Sequence, residues 1–256
     1  MQTFRLGLIG FPIGHSKSPT LFRSYFAGHP EILRRYSYGL IEYPDFDDAL
    51  EVFREKYIAA NVTAPFKEDA FHIADIRSEE AEACHAANLL LKTDEGKIKA
   101  CNTDYTAVRR LLKSLPCPGR VLVIGCGGAG KASAAAAISL GYNTSICNRS
   151  PGHAALFCGK AGIFPLKDLH SAVREADTVI YTLPSGIPAL NGADWKGKAV
   201  IEASYSSPAL ETPVQLSGGL YVSGMKWLAI QAEATYRTVI RPFCPDPEPG
   251  WYQMHG

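Results

Sequence analysis

Three polar turns in the first half of the chain combine side chains that could contact a substrate and move a proton. Their sequences are GHSKSP, NVTAPFK and NTD. Ser16 and Ser18 offer hydroxyl groups, and Lys67 with Asp104 would form a proton relay in which the carboxylate orients the ammonium group. Each turn also has an ordinary structural interpretation, because the serines suit a helix cap, Lys67 a solvated side chain and Asn102 an Asx-turn.

A glycine-rich turn in the second half could bind a dinucleotide. Gly125, Gly127 and Gly130 have the spacing G-x-G-x-x-G between the apolar run RVLVI and an Ala-rich stretch. Such glycines permit a tight turn and let the backbone approach a pyrophosphate, which the positive end of the following helix attracts. The pattern predicts a dinucleotide site, and a merely tight strand-to-helix turn is the alternative.

The residues after the next predicted strand indicate which dinucleotide is bound. A fold selective for NAD usually has an acidic residue there, which binds the ribose hydroxyls. Asn148 and Arg149 occupy this place, and an arginine with neutral neighbours suits the additional 2′-phosphate of NADP. The sequence therefore favours NADP, unless Arg149 simply faces solvent.

Strand and helix patterns alternate around these turns, which predicts an α/β fold. Ligands of open α/β sheets bind outside the carboxyl ends of strands, so the three polar turns are expected to meet in one cleft that faces the glycine loop. The first half is predicted to contain a mostly parallel sheet, with strands over 4–10, 36–42, 57–63 and part of 96–104. Its predicted helices cover about 20–26, 45–57, 78–90 and 106–115, and Ser78 is the predicted N-cap of the third. In the second half the predicted strands cover 120–124, 143–148, 176–186 and 198–205, the helices cover 131–140 and about 225–240, and the Pro-rich tail is expected to pack irregularly.

The composition favours a soluble cytoplasmic protein with a small-molecule substrate. The 256 residues include 26 Lys and Arg against 25 Asp and Glu, a balance that gives no sign of a nucleic-acid or membrane-surface partner. Seven cysteines without ligand spacing indicate reduced thiols and no metal site. No apolar run suggests a membrane span, and the N-terminus is interpreted as a first strand and not a signal peptide.

In chain order, GFPIGHSKSP, NVTAPFK and CNTD resemble three signature motifs of the shikimate dehydrogenases, and with the glycine loop the resemblance covers nearly the whole chain. It implies an N-terminal α/β substrate domain and a Rossmann-type NADP-binding domain, with the last helix folding back toward the first domain. The implied substrate-binding and catalytic domain comprises residues 1–104 and 225–256, and the NADP-binding domain comprises residues 105–224. The implied reaction is the reversible reduction of 3-dehydroshikimate to shikimate with NADPH, a step of chorismate and aromatic amino-acid biosynthesis, by a monomer or homodimer.

The resemblance also implies a role for individual residues. Lys67 and Asp104 would be the catalytic pair at the reacting oxygen. The substrate would be bound by Ser16 and Ser18 at its carboxylate, by Tyr205 near that carboxylate, by Asn88 at the ring hydroxyls, and by Thr63 and Gln231. The cofactor would be bound by Gly125, Gly127, Gly128, Ala129 and Gly130, by Asn148 and Arg149, and by Gly224.

Several positions depart from the family pattern. Leu89 replaces a usual threonine, Lys226 and Trp227 fall in a segment that usually reads Gly-Leu-Gly-Met-Leu, and His153 replaces an arginine. We therefore expect a dehydrogenase with a weaker hold on its cofactor or an altered choice between NADP and NAD. A quinate/shikimate-type specificity and a non-catalytic metabolite- or nucleotide-binding relative are the alternatives.

Overall fold

A computed structural model describes residues 3–116, 118–183, 190 and 192–240, and these residues form an α/β protein. They divide into two compact units. The first contains the described residues up to Thr103 and those from Ala229 onward, and the second comprises Asp104–Leu228. The expected irregular tail after Ile240 and the end of the predicted turn at 184–186 lie outside the described residues.

The first unit alternates short strands and helices. Its strands are β1 Phe4–Gly10, β2 Tyr36–Glu42, β3 Ala59–Val62, β4 Ile76–Arg77, β5 Leu89–Lys92 and β6 Ile98–Cys101. Its helices are α1 Ser18–Tyr25, α2 Pro30–Arg35, α3 Phe46–Lys56, α4 Lys67–His72 and α5 Glu79–Cys84. The caps follow simple chemistry, since the side chains of Asp45 and Ser78 accept backbone N–H bonds at the starts of α3 and α5.

The sheet of the first unit has the order β2-β1-β3-β5-β6-β4. β1 pairs in parallel with β2 and β3, whereas β5 runs antiparallel to both β3 and β6. Consequently, β1, β3 and β6 point the same way, and their carboxyl ends share one edge with the amino end of β5. The sheet is therefore mixed, and the prediction of a mostly parallel sheet missed the reversal at β5.

The second unit also alternates strands and helices. Its elements begin with α6 Thr103–Ser114, β7 Val121–Ile124, α7 Gly128–Ser139, β8 Thr144–Asn148, β9 Gly162–Pro165 and α8 Leu169–Glu175, and continue with β10 Thr178–Tyr181, β11 Ala199–Glu202, α9 Glu211–Leu216 and β12 Leu220–Val222. The last helix, α10 Gly224–Val239, begins in this unit, but its residues from Ala229 onward belong to the first unit. The sheet order is β12-β11-β10-β7-β8-β9, with every pairing parallel. This is the predicted Rossmann-type arrangement, and the α/β fold class is confirmed.

Parallel strands covered on both faces should be apolar along their whole length. β7, β10 and β11 are fully buried and read VLVI, TVIY and AVIE. Residues 130–137 of α7 are also buried on every side, because its four consecutive alanines occupy little volume beside the sheet. The predicted strand and helix that surround the glycine turn are thus confirmed.

One predicted helix of the first unit ends earlier than expected. The helix predicted over 78–90 ends at Cys84, because His85 takes a left-handed conformation with φ of 45°. The chain then enters β5, so the three leucines that begin Leu89–Lys92 belong to a strand, and its first two residues are buried. A short apolar run of this kind fits a helix or a strand equally well in sequence, and the sheet partners β3 and β6 decide between them.

Candidate active site

Four segments that carry residues of the three polar turns and Asn88 lie at one edge of the first sheet. The turn with Ser16 comes after β1, the turn with Lys67 comes after β3, and Asn102 directly follows β6. Asn88 directly precedes β5, and because β5 runs in reverse, its amino end lies at this same edge. Four separate chain segments are thereby gathered at the edge.

Ser16 and Ser18 form a small hydroxyl pair. Their Oγ atoms lie 3.2 Å apart, and Ser16 Oγ accepts the backbone N–H of Ser18 at 3.3 Å. Ser18 is the first residue of α1, whereas the N-cap of that helix is Lys17, whose side chain makes no capping bond. The structure therefore gives Ser16 a local turn bond, but neither serine is the N-cap of α1.

Lys67 begins α4 immediately after the turn that closes β3. Its side chain is half-buried, and its backbone carbonyl accepts the N–H of Ala87 at 2.8 Å. Thr63 is fixed by a bond from its N–H to the carbonyl of Ile9 at 2.8 Å. A Cβ on Gly10 would lie 2.4 Å from Thr63 Cγ2, so glycine at the end of β1 is what admits this threonine.

A buried hydrogen-bonded group, here called the Asn88 cluster, consists of Asn61, Asn88, Thr103, Gln231 and Thr235. Asn88 Oδ1 accepts the backbone N–H of Thr103 at 2.6 Å, and Asn88 Nδ2 donates to Thr103 Oγ1 at 3.0 Å and to Gln231 Oε1 at 3.5 Å. Asn61 Nδ2 donates to Thr235 Oγ1 at 2.9 Å and to the Asn88 carbonyl at 3.2 Å. All five residues are buried, so this is an ordered polar network in which the side chains orient one another.

The cluster brings together two predicted residues, Asn88 and Gln231, and three that the sequence reasoning did not single out. Asn61, Thr103 and Thr235 are these three, and Tyr38 extends the network by donating its hydroxyl to Asn61 Oδ1 at 2.9 Å. A signal for Asn61 was present in the sequence. It is the one amide side chain in the otherwise apolar strand AANV, and a buried polar residue on a strand needs a specific partner.

Asn102 and Asp104 flank Thr103 but have different surroundings. Asn102 Nδ2 donates to the carbonyl of Ala86 at 2.8 Å, which joins the end of β6 to the loop before β5. Asp104 lies in the first turn of α6, in the second unit, and is 6% exposed. Its Oδ1 accepts the indole N–H of Trp227 at 2.9 Å, a contact that the sequence did not predict.

The glycine turn has the geometry that a pyrophosphate requires. Gly125 has a φ of +96°, and a Cβ on Gly130 would lie 2.2 Å from the carbonyl oxygen of Gly125. Glycine at these two positions thus serves the turn itself and the packing of α7. A Cβ on Gly127, the exposed N-cap of α7, would meet nothing within 4 Å, so open space lies in front of the helix N-terminus. α7 has twelve residues and begins at Gly128, so the backbone N–H groups of Gly128 and Ala129 belong to its first turn. The positive end of the helix dipole favours an anion at this position.

β8 ends at the residues predicted to bind the adenosine phosphate. Asn148 is buried and donates from Nδ2 to the carbonyl of Ser150 at 2.9 Å, which fixes the turn after β8. Arg149 is exposed, as is His153 four residues later. These residues and the space before α7 fit an NADP molecule, because they offer a cationic group and a helix N-terminus at the carboxyl ends of adjacent strands.

Two further segments of the second unit are shaped by close contacts. Glu202, at the end of β11, is fully buried and accepts bonds from Ala209 N at 2.7 Å, Leu210 N at 3.1 Å and Tyr221 Oη at 2.8 Å. Burial and this carboxylate both raise the pKa of Tyr221, which keeps the phenol protonated. Tyr205 lies half-buried in the loop that Glu202 holds.

Gly224, the first residue of α10, touches this same loop. A Cβ there would lie 2.5 Å from the carbonyl oxygen of Ser204 and 2.7 Å from that of Ala203. The contact explains the glycine physically and fixes where α10 begins.

The part of the chain that the structure describes contains neither a metal-binding cluster nor a membrane-spanning helix. In these residues no group of three or more His, Cys, Asp and Glu side chains could hold a metal ion. Among the same ranges, no helix combines the length and the apolar character needed to cross a bilayer. Within this part of the chain no disulfide is formed by Cys84, Cys101, Cys126, Cys147 or Cys158.

The fold and the site define an α/β dinucleotide-binding oxidoreductase with a separate substrate unit. Residues 8–90 match the family model of the shikimate dehydrogenase substrate binding domain. A shikimate dehydrogenase (NADP(+)) of Acidiphilium cryptum is 31% identical over 242 residues, which cover 88% of this chain and 86% of that protein. The chain belongs to the shikimate dehydrogenase family, as the three motifs predicted.

Two more comparisons agree with this assignment. A shikimate dehydrogenase (NADP(+)) of Shewanella woodyi is 37% identical over 153 residues, a match that spans 58% of this chain and 56% of that protein. Among solved structures, the shikimate 5-dehydrogenase of Thermus thermophilus in complex with NADP(H) and shikimate superposes with a TM-score of 0.82. It is 26% identical, over 99% of this chain and 98% of that one.

Proposed function

We propose that the protein is an NADP-dependent oxidoreductase that catalyses the reversible reduction of 3-dehydroshikimate to shikimate. The observation that carries this proposal is the 31% identity to an NADP-dependent shikimate dehydrogenase over most of both chains. The expectations of family, enzyme class and cofactor drawn from the motifs agree with it. The assignment of roles to individual residues, and of residues 1–104 with 225–256 to substrate and 105–224 to NADP, is part of the proposal.

The substrate would be held by residues at the edge of the first unit's sheet where β1, β3 and β6 end. A ring with neighbouring hydroxyl groups needs donors and acceptors in fixed positions, and the amides of Asn88 and Gln231 are held by mutual hydrogen bonds that also include Thr103. The adjacent hydroxyls of Ser16 and Ser18 suit a carboxylate, which accepts two hydrogen bonds. Thr63 and Tyr205 are proposed as further substrate contacts, because the family motifs in which they lie imply this role.

Lys67 and Asp104 are proposed as the proton-transfer pair. Lys67 follows β3 and Asp104 comes three residues after the end of β6, and the carboxyl ends of these strands share one sheet edge. In the oxidation of shikimate, Lys67 would accept the proton of the reacting hydroxyl, and in the reverse direction its ammonium group would return it. Asp104 would orient that ammonium group and compensate its charge.

NADP would be held by the open space before α7 and by the end of β8. Gly125, Gly127, Gly128, Ala129 and Gly130 would bind the pyrophosphate, Asn148 and Arg149 the adenosine phosphate, and Gly224 would lie at the nicotinamide end. When bound, the nicotinamide accepts or supplies the hydride of the ring carbon.

The proposal is tested by steady-state turnover with shikimate and quinate, each with NADP and NAD. Shikimate with NADP should give the highest kcat/KM. Lys67→Ala should lower kcat by about 10²–10⁴-fold, the usual cost of lost acid–base catalysis, with less effect on shikimate binding. Lys113→Ala removes an exposed lysine of α6 and serves as the charge-matched control. Unchanged kcat in Lys67→Ala would remove the lysine from the reaction.

The two alternative functions can be separated by the same assay. Leu89 is fully buried within β5, so its replacement of a threonine gives no structural argument for quinate. A higher kcat/KM with quinate would nevertheless establish that specificity. Shikimate binding without any cofactor reduction between neutral and alkaline pH would identify a non-catalytic relative.

The cellular setting and assembly remain part of the proposal. The described cysteines form no disulfide, which agrees with a reducing compartment, and we propose the cytoplasm. A monomer or a homodimer is proposed, and sedimentation at assay concentrations would distinguish them.

A further inference from the structure

Trp227 makes a polar contact with a residue assigned to catalysis. Its Nε1–H group donates to Asp104 Oδ1 at 2.9 Å. Trp227 is 4% exposed and Asp104 is 6% exposed, so both partners of the bond are buried. An N–H group bonded to a carboxylate is a charge-assisted hydrogen bond, which is shorter and stronger than one between neutral groups.

The position of the indole is fixed by the backbone on which it stands. Trp227 is in the first turn of α10, and the start of that helix is set by the contact of Gly224 with the carbonyls of Ala203 and Ser204. The backbone N–H of Trp227 also donates to the carbonyl of Ser223 at 3.3 Å. A buried tryptophan has only two side-chain torsions, so its single N–H has a defined direction.

We infer that Trp227 is a positioning residue, whose indole N–H fixes the plane of the Asp104 carboxylate for proton transfer. The inference rests on the proposed function, because it assumes that Asp104 acts in the catalytic pair. A carboxylate buried beside a helix start can rotate about its terminal torsion, which has broad energy minima. With Oδ1 held by the indole, that rotation is restricted before substrate arrives, and preorganisation of this kind increases the rate of the chemical step.

The contact gives Trp227 a role different from that of a large side chain that only fills space. A side chain that only filled space beside the nicotinamide would act through its volume and would change cofactor affinity. A hydrogen-bond donor would act through the N–H group and would change kcat while leaving NADP binding intact. The two roles are separable by replacing the N–H and keeping the ring.

The decisive variant is Trp227→Phe, with Trp195→Phe as its matched control. Trp195 is fully buried in the same unit, and its Nε1 has no hydrogen-bond partner among the described residues. We expect Trp227→Phe to lower kcat at least tenfold, with the KM for shikimate and the Kd for NADP each within twofold of wild type. Trp195→Phe should leave kcat within twofold, because the N–H that it removes bonds to nothing in that part of the structure.

A double-mutant cycle tests whether the indole acts through Asp104. In an Asp104→Asn background, Trp227→Phe should lower the residual kcat by less than twofold, since the carboxylate that it positions is already gone. Equal losses in both backgrounds would overturn the inference. A changed NADP affinity with unchanged kcat would also overturn it and would identify Trp227 as a side chain that only fills space beside the nicotinamide.

A second variant covers the case in which phenylalanine disturbs folding. Incorporation of 3-benzothienylalanine at position 227 keeps the shape of the indole and replaces its N–H with sulfur, and the same tenfold loss of kcat is expected. Wild-type protein inactive with shikimate and NADP would overturn the proposed function and this inference together. An active wild type whose Trp227 variants keep their kcat would overturn the inference alone.

Discussion

Alanine substitutions at Gly127 and Gly130 should separate the needs of the cofactor from those of the fold. Both glycines belong to the same G-x-G-x-x-G turn, yet their surroundings differ. A Cβ at 130 would lie 2.2 Å from the carbonyl oxygen and 2.7 Å from the carbonyl carbon of Gly125, whereas a Cβ at 127 would meet nothing within 4 Å. Only the first substitution creates a clash within the protein.

The expected stability losses follow from these distances. Gly125 is held to β8 by a bond from its N–H to the carbonyl of Cys147 at 2.9 Å, so its carbonyl cannot move away cheaply. Overpacking costs about 1–3 kcal/mol, and a contact of 2.2 Å with a backbone atom places Gly130→Ala at the upper end of this range. The better helix propensity of alanine returns at most ~1 kcal/mol, which leaves a net loss of about 2 kcal/mol. We expect Gly130→Ala to lower the melting temperature by about 4–8 °C. Gly127→Ala should cost less than about 1 kcal/mol, the difference between glycine and alanine at an N-cap.

Gly127→Ala should weaken NADP binding more than Gly130→Ala does, which is the reverse of the order expected for the loss of stability. If a pyrophosphate occupies the space before α7, a methyl group at 127 takes that space, and the Kd for NADP should rise tenfold or more, equivalent to ~1.4 kcal/mol. Scanning calorimetry measures the stability of each variant, and titration calorimetry measures the Kd for NADP and for shikimate. Shikimate affinity should not change. An unaltered Kd for NADP in a stable Gly127→Ala protein would refute a pyrophosphate at this helix end, and a Gly130→Ala protein as stable as wild type would refute the packing argument.

Three further substitutions or conditions test other parts of the site. Arg149→Ala should raise the KM for NADP at least tenfold and that for NAD much less; equal changes would remove this exposed arginine from the 2′-phosphate. Ser16→Ala should mainly raise the KM for shikimate, by about ten- to 150-fold for one lost hydrogen bond to a charged group, and a loss confined to kcat would contradict the carboxylate assignment. Burial and, to a smaller degree, the charge of Asp168 raise the pKa of the Cys147 thiol to about 11, so the unfolded thiol ionises first as pH rises. The stability gained from the neutral thiol is thus lost between about pH 8.5 and 11, and Cys147→Ala should flatten the pH dependence of the urea midpoint there.

The elements nearest the chemistry could be predicted from the sequence because local signals agreed there. The glycine spacing, the apolar run before it and the alanines after it all required one strand, one turn and one helix, and β7 with α7 has that form. Ser78 was predicted as an N-cap, and its Oγ accepts the N–H of Ala81 at 3.3 Å. Such features depend on a few neighbouring residues, which a single sequence contains.

The features that could not be predicted depend on distant partners. The reversal of β5 follows from pairing with β3 and β6, and nothing within the residues Leu89–Lys92 specifies it. The bond between Trp227 and Asp104 joins residues 123 positions apart, and the bond between Asn61 and Thr235 joins residues 174 apart. In the sequence each of these side chains is compatible with several environments, and only the tertiary fold selects one.

The reversed direction of β5 also indicates where the chain can be altered for practical use. The turn between β5 and β6 lies at the opposite end of the strands from Asn88, and Thr93 closes it by bonds with Lys97 and Gly96. Gly96 has a φ of +78° and open space around it. Short exposed turns of this kind tolerate insertions. A fluorophore or an affinity peptide inserted here would report on the first unit from the end of its sheet that is remote from the proposed substrate residues.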